Sequence, residues 1–272
     1  MGLRINTNVA ALNTSRILRR NTLALNKSLE RLSSGLRVNR AADDAAGLTI
    51  AEGFRSIVRG SAVAQRNSQD GVSLVQTAEG ALSESTHVLQ RIRELAVQAA
   101  NGTNSTGNRE ALDLEVQQLL AQIDDIAIDT QFNGLYVLSS PQTVTLQSGP
   151  MVGQTLVIGM NGAKSDDLNI DTVSISTVEL AVSAISQIDA ALIDANGLRS
   201  ELGALQNRLQ FTINVLGIME ENAAASESAI RDADIAQETL KFTRNQILVS
   251  AGTTVLAQAN IVPQTALQLL GG

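Results

Sequence analysis

A chain of 272 residues with a net charge of −7 is long enough for one large domain or two smaller ones. It has no Cys, no Trp and one His, which excludes disulfides, thiolate nucleophiles and multi-histidine metal sites. Aromatic residues are only 2% of it (Phe54, Phe132, Phe211, Phe242 and Tyr136), so its core must come from Ala, Leu, Ile and Val, which suits closely packed long helices.

The first element is an N-terminal arm in which Ala11, Leu18, Leu25 and Leu32 recur every seven residues, with Leu29 and Leu36 assigned to the other seam position. That spacing of four and three is the repeat of helices that wrap around one another. A single helix cannot bury such a stripe and takes most of its stability from a partner. Residues 1–70 hold eleven Arg and Lys against five Asp and Glu, so the acidic balance lies in the remainder. A basic arm can mean nucleic acid. Here the arginines interleave with leucines and no aromatic platform accompanies them, which favours solvated or intersubunit faces. The stretch Arg40–Gly47 reads as a break, with Asp43-Asp44 placed to cap the next helix.

A second helix is expected to run to about Ala100, with Val75, Ala78, Leu82, Leu89, Ile92, Ala96 and Ala99 as its stripe. Residues 101–107 form a loop, and a third helix follows with Leu112, Val116, Leu119, Ile123 and Ile126 on one face. Phe132-Asn133-Gly134 is a turn signal. From about 136 to 176 the period changes: residues 144–146, 155–158 and 168–170 are short β-like runs, giving one or two hairpins too small to stand alone. The next helix carries Leu198, Leu202, Leu205, Leu209, Thr212, Leu216 and Met219, with a break expected near Ser226–Asp234. The C-terminal stripe is Leu248, Val255, Val262 and Leu269, with Gly252, Ala259 and Ala266 between them. Residues 245–272 contain no charge, yet scattered Gln and Asn and Pro263 argue against a membrane span.

The expected fold is mainly α: a long antiparallel helical bundle or coiled coil with a small β-hairpin region and paired N- and C-termini. Residues 1–43 and 231–272 form a terminal coiled-coil domain; 44–176 and 177–230 form a helical rod domain carrying the hairpin. No phosphate loop, zinc motif or nucleophile with a His partner is present, and Asp124-Asp125, like Asp43-Asp44, are sequence neighbours that do not converge on a helix. His87 reads as a polar-face residue. No enzyme, cofactor or metal is expected.

Ile5–Asn13, Leu32–Asn39, Ala41–Leu48 and Leu89–Gln98 closely resemble the N-terminal region of bacterial flagellins, and Ala251–Asn260, Val262-Pro263-Gln264 and Leu269-Leu270 resemble the C-terminal region. The resemblance covers nearly the whole chain except about residues 140–176. It implies a filament subunit for motility, short enough to lack the variable outer domains and exported unfolded without a cleaved signal peptide to lie outside the cell. The terminal seams, Leu18, Leu25, Leu29, Leu32, Leu36, Leu248, Val255, Ala259, Val262 and Leu269, are its expected self-assembly residues. Implied partners are other copies of the chain, flagellar cap and hook-junction proteins, an export chaperone taking the C-terminal region, and the innate receptor Toll-like receptor 5, read by Arg91, Leu95 and Glu115. The alternative is a hook–filament junction protein; neither nucleic acid nor membrane insertion is expected.

Overall fold

The computed structural model describes residues 7–270, and side chains as far as Ile261; Val262 and Leu269 of the predicted seam lie outside the described side chains. The elements in chain order are α1 (Val9–Ser34), α2 (Ala45–Ala100), α3 (Thr106–Asp129), β1 (Gln131–Phe132), β2 (Leu135–Tyr136), β3 (Gln142–Gln147), β4 (Thr155–Met160), α4 (Val178–Arg231) and α5 (Ile235–Leu270). The chain divides into two compact units, Met1–Arg55 with Asn222–Gly272, and Ser56–Glu221.

In the first unit α1 starts on the Asn8 side chain, which accepts from the Ala11 amide at 3.0 Å, and ends on Gly35 in the left-handed region at φ 72°. Asp44 caps α2, accepting from the Gly47 amide at 2.8 Å, as Asp43-Asp44 led one to expect. Asp43 does different work. Its carboxylate takes the amides of Asn39 and Arg40 and pairs with Lys27 at 2.7 Å, tying the break back onto α1. The Lys27 hydrogen bond outweighs partial burial, and with the two amides it holds the Asp43 pKa at about 2, below its ordinary 3.8. A depressed carboxylate stabilises the fold above its unfolded pKa and loses that contribution as pH falls through the folded one. Asp43→Asn is therefore expected to lower the melting temperature at pH 5–7, by the equivalent of about 1 kcal/mol because Lys27 is half exposed. The difference should fade as pH drops through about 2 and be gone below it, and melts from pH 7 to below 2 check it.

The second break falls at residues 232–234, within the expected Ser226–Asp234. Ala223–Ser228 stays helical, since Ala and Glu are good helix formers and Ser226 returns its hydroxyl to the Asn222 carbonyl at 2.8 Å. α4 stops only at Arg231, and Asp234 then caps α5 by accepting from the Ala236 and Gln237 amides. The two breaks meet. Leu36 and Asp232 form an antiparallel bridge, with Arg37 N donating to Arg231 O at 2.6 Å and Ala233 N to Gly35 O at 2.9 Å. α1 and α5 run back antiparallel from this junction, and Asn8 Nδ2 donates to the Ala259 carbonyl at 2.8 Å near the other end.

In the second unit the predicted stripes are the core. Leu89, Ile92, Leu95, Ala96 and Ala99 of α2 pack with Val116, Leu120 and Ile123 of α3, and with Ala181, Ala184, Ile188, Ala191 and Ala195 of α4. Val75, Ala78 and Leu82 pack with Leu202 and Leu209 and with Leu156, Ile158 and Met160 of β4. β3 and β4 pair antiparallel, Gln142 opposite Met160 and Gln147 opposite Thr155, with every second residue of β4 buried. This hairpin lies close on α2: a Cβ at Gly60 would meet Pro150 at 2.8 Å, and one at Gly71 would meet Leu146. β1 and β2 form a smaller pair around Asn133 and Gly134, both with positive φ, the geometry of a tight primed turn.

The pairing thus begins at Gln131 and ends at Met160. The third β-like run, residues 168–170, is no strand. Leu168 and Ile170 bury their side chains as expected, but with no neighbouring strand their amides turn back to the Lys164 and Ser165 carbonyls of the same loop, and α3 holds the loop on either side of them. Asp124 accepts from the Ser165 amide and hydroxyl at 2.8 Å each, Asp113 accepts from the Ile175 amide at 2.6 Å, and Gln117 donates to the Val173 carbonyl at 2.9 Å.

Candidate assembly surface and partner site

The α1–α5 seam is not the pair of leucine ladders that the spacing predicts. On α1 the half-buried positions are Ala11, Thr14, Ser15, Leu18, Asn21, Leu25, Glu30, Arg31 and Leu32, with Ser28 buried outright. Leu29 is exposed, because Asn21 and Ser28 occupy the second seam position. Leu36 lies beyond the helix, in the bridge with Asp232. On α5 the inward positions are Glu238, Phe242, Asn245, Val249, Gly252, Leu256 and Ala259, again at four-three spacing. Ala259 is where the sequence placed it. Leu248 and Val255 instead point away from α1. Both faces of α5 carry apolar residues at helical spacing, so periodicity alone does not decide which turns inward.

The outward face of α5 is apolar as well. Leu240, Ile247 and Ile261 lie along it, with Thr254 at the seven-residue position between the last two, flanked by Leu248, Ala251 and Val255, and Arg244 is its one basic group among the described residues. Leu240 and Ile247 are 71% and 62% exposed. A helix that leaves exposed aliphatic side chains on the face turned from its partner belongs inside a larger assembly. No helix among the described residues is long and apolar enough to cross a membrane.

The second candidate site lies on the second unit. Arg91 and Glu115 come together as expected: Arg91 Nη2 and Nε donate to Glu115 Oε1 at 2.9 and 3.2 Å, and Nη1 donates to Glu94 at 3.1 Å. The Glu115 hydrogen bonds, then those of Glu94, raise the Arg91 pKa, so it is a fixed cation. Leu95 does not join them at the surface. It is 1% exposed and belongs to the α2–α3–α4 core, in the helix beneath Arg91. The neighbouring Val97 and Leu114 are the exposed apolar groups instead. Arg109, which the sequence reading passed over, closes α2: its guanidinium donates to the carbonyls of Ala99 and Asn101 at 2.9 and 3.1 Å.

An open groove of about 590 Å³ lies between the β3–β4 turn and α4, lined by Pro150, Phe211, Val215, Leu216 and Met219, with Arg208 its sole charged wall residue. It offers no acid–base pair. His87 is exposed beside Glu84, and among the described residues no group of His, Asp or Glu could hold a metal.

A chain whose ends pair with each other while a broad apolar face stays uncovered is a self-assembling helical subunit. Residues 5–143 match the family model described as the bacterial flagellin N-terminal helical region, and 185–270 the C-terminal helical region. A flagellin of Halalkalibacterium halodurans is 46% identical over 98% of this chain and 99% of its own length. The flagellar filament 33 kDa core protein of Treponema phagedenis is 43% identical over the same shares. The structure titled as a putative flagellar hook-associated protein from Vibrio parahaemolyticus shares the fold, with a TM-score of 0.56 at 14% identity over 70% of this chain and 99% of that one. The chain belongs to the bacterial flagellins, a family of structural proteins. It is a filament subunit that polymerises with copies of itself, outside the cell; the junction-protein alternative is not favoured.

Proposed function

We propose that the α1–α5 pair, residues 1–43 and 231–272, forms the inner core of the filament, and that residues 44–230 with the hairpin form its outer wall. The outward face of α5 carries this reading: Leu240, Ile247, Leu248, Val255 and Ile261 are exposed there, and α1 does not cover them. In the polymer Leu240, Ile247, Leu248, Val255 and Ile261 pack against neighbouring copies, and Leu18, Leu25, Leu32 and Ala259 hold the pair that presents them. Such contacts are heterologous and do not close, so they propagate a helix of subunits. Ends that complete their burial only in the polymer suit passage through an export channel as unfolded chain, without a cleaved signal. The uncovered C-terminal helix is the segment an export chaperone would take, and cap and hook-junction proteins would meet the subunit at the two ends of the filament. Purified protein seeded with filament fragments should give long filaments by electron microscopy; binding only at a hook tip would move the reading to a junction protein.

Toll-like receptor 5 would read the exposed Arg91–Glu115 pair, with Leu95 acting from below. Arg91→Ala is expected to lose receptor signalling by soluble subunit while seeded assembly stays intact. Unchanged signalling in a reporter-cell assay would remove this partner.

A further inference from the structure

Two helices of the second unit each carry a second row at coiled-coil spacing, and both rows face solvent. On α4, Ala204, Arg208, Phe211, Val215 and Ile218 alternate steps of four and three, and all five are exposed. On α3, Ala111, Leu114, Gln118, Ala121, Asp125 and Ile128 do the same, and every position is again exposed. Leu114 and Phe211 are 70% and 71% exposed. Alongside these rows the exposed positions are polar: Asn207, Gln210, Asn214 and Glu221 on α4, and Glu110, Glu115, Gln117, Gln122 and Asp129 on α3. Each helix already buries a different stripe in the subunit core, Val116, Leu120 and Ile123 on α3 and Leu202, Leu209 and Leu216 on α4. The α4 row also has a wall beside it. The β3–β4 turn at Pro150 stands across from Ala204, Arg208, Phe211 and Val215 and forms one side of the groove of about 590 Å³. An apolar groove of this kind accepts the apolar ridge of a helix.

The two rows match in one register. α3 returns along α2 after the loop of residues 101–105. α4 packs residues 181–195 on residues 89–99 of α2, and residues 202–209 on residues 72–82, so α3 and α4 both run opposite to α2. Copies repeated along a polymer axis keep one polarity, so α3 of one copy meets α4 of another in parallel. With Phe211 opposite Leu114, Val215 falls opposite Gln118, Ile218 opposite Ala121, and Arg208 opposite Ala111, next to Glu110. Neither Arg208 nor Glu110 has an ion-pair partner in its own chain among the described residues. A slip of one heptad sets Val215 against Asp125 in one direction and leaves Arg208 beyond the start of α3 in the other.

We propose that the α4 groove of one copy receives the α3 ridge of the next, with Phe211 on Leu114 and Arg208 beside Glu110. The contact joins unlike surfaces, so it does not close on itself, and every copy offers both halves. The charge pair at its rim fixes register more than strength. The proposal rests on the reading of residues 44–230 as the filament's outer wall and names the surface by which that wall is built.

The chain has no Cys, so introduced thiols report this contact without background. Oxidised filaments of Leu114→Cys with Phe211→Cys should give a ladder of covalent multimers, because each bond joins two chains. Leu114→Cys with Gln210→Cys, one position round the helix, should give at least about tenfold less. Arg208→Glu and Glu110→Arg alone should each raise the critical concentration about tenfold, and the two together should return it to within about threefold of the parent. If the Cys variant does not elongate, the charge pair decides alone. Absence of the ladder, or a double reversal no better than the singles, overturns the proposal. Maleimide reactivity separates it from the reading beneath it. Thiols at 114 and 211 that are both shielded in filaments yet form no ladder would leave the outer wall standing and remove this pairing. Thiols that react as fast in filaments as in the soluble subunit would remove both.

Discussion

Ile247→Glu is expected to abolish filament growth while leaving the second unit folded. Ile247 stands at the centre of the outward face of α5, on the side away from Leu18 and Leu25, so the change breaks no contact within the subunit. In the polymer it exchanges a buried aliphatic side chain for a carboxylate in a stretch with no charge from Asn245 onward; Arg244, one turn before it, is the one basic group in reach and offsets part of the desolvation. Lost transfer free energy and the carboxylate's desolvation together cost about 3 kcal/mol or more per contact. That raises the critical concentration at least about a hundredfold. Turbidity after seeding, read beside the circular dichroism of the soluble subunit, checks both halves. Growth at the parental concentration would show that this face stays wet in the filament.

Leu209→Ala is expected to have the largest effect on the subunit itself. Leu209 is fully buried in the second core, where α4 meets α2 and the β3–β4 hairpin, and both its methyls stand over Gly71. Gly71 has no side chain to move into the space, and Leu146 already lies against the same glycine. The cavity stays largely open, so the cost falls at about 3–4 kcal/mol. For a unit of this size that is on the order of 10 °C in melting temperature. Thermal unfolding of the soluble subunit measures it. A shift below about 3 °C would mean that the hairpin settles into the gap.

How much of this was legible in the sequence depends on how many faces each helix buries. α2, α3 and α4 bury one stripe each, and Val75 through Ala99, Val116 and Ile123, and Leu202 and Leu209 are where the spacing puts them. The α1–α5 pair defeats the same logic, because its most enclosed positions are Ser28 and Glu238 while Leu29, Leu248 and Val255 face outward. A leucine ladder records where a helix is sticky, not which partner it meets first. Asn133-Gly134 announced its turn through chemistry that few other pairs share. Residues 168–170 misled because alternation reports a buried face and says nothing of where the backbone pairs; their amides bond within the loop, to Lys164, Asp166 and Ser165, while α3 anchors the loop at Ser165 and Ile175. Arg91 and Glu115 were found together, whereas Leu95 sits in the core stripe that already runs through Ile92 and Ala96. The i and i+4 phase with Ile92, Ala96 and Ala99 carried that signal, and Leu95 was read as a contact against it.

Tyr136 is half exposed at the end of β2, and the chain has no other tyrosine and no tryptophan. The protein therefore carries a single fluorophore of its own, fixed beside the tight turn at Asn133-Gly134. Its emission reports the wetness of that one patch and of nothing else in the molecule. Collisional quenching by iodide, followed while seeded subunits elongate, thus reads the covering of the small β pair directly, with no label attached and no residue changed.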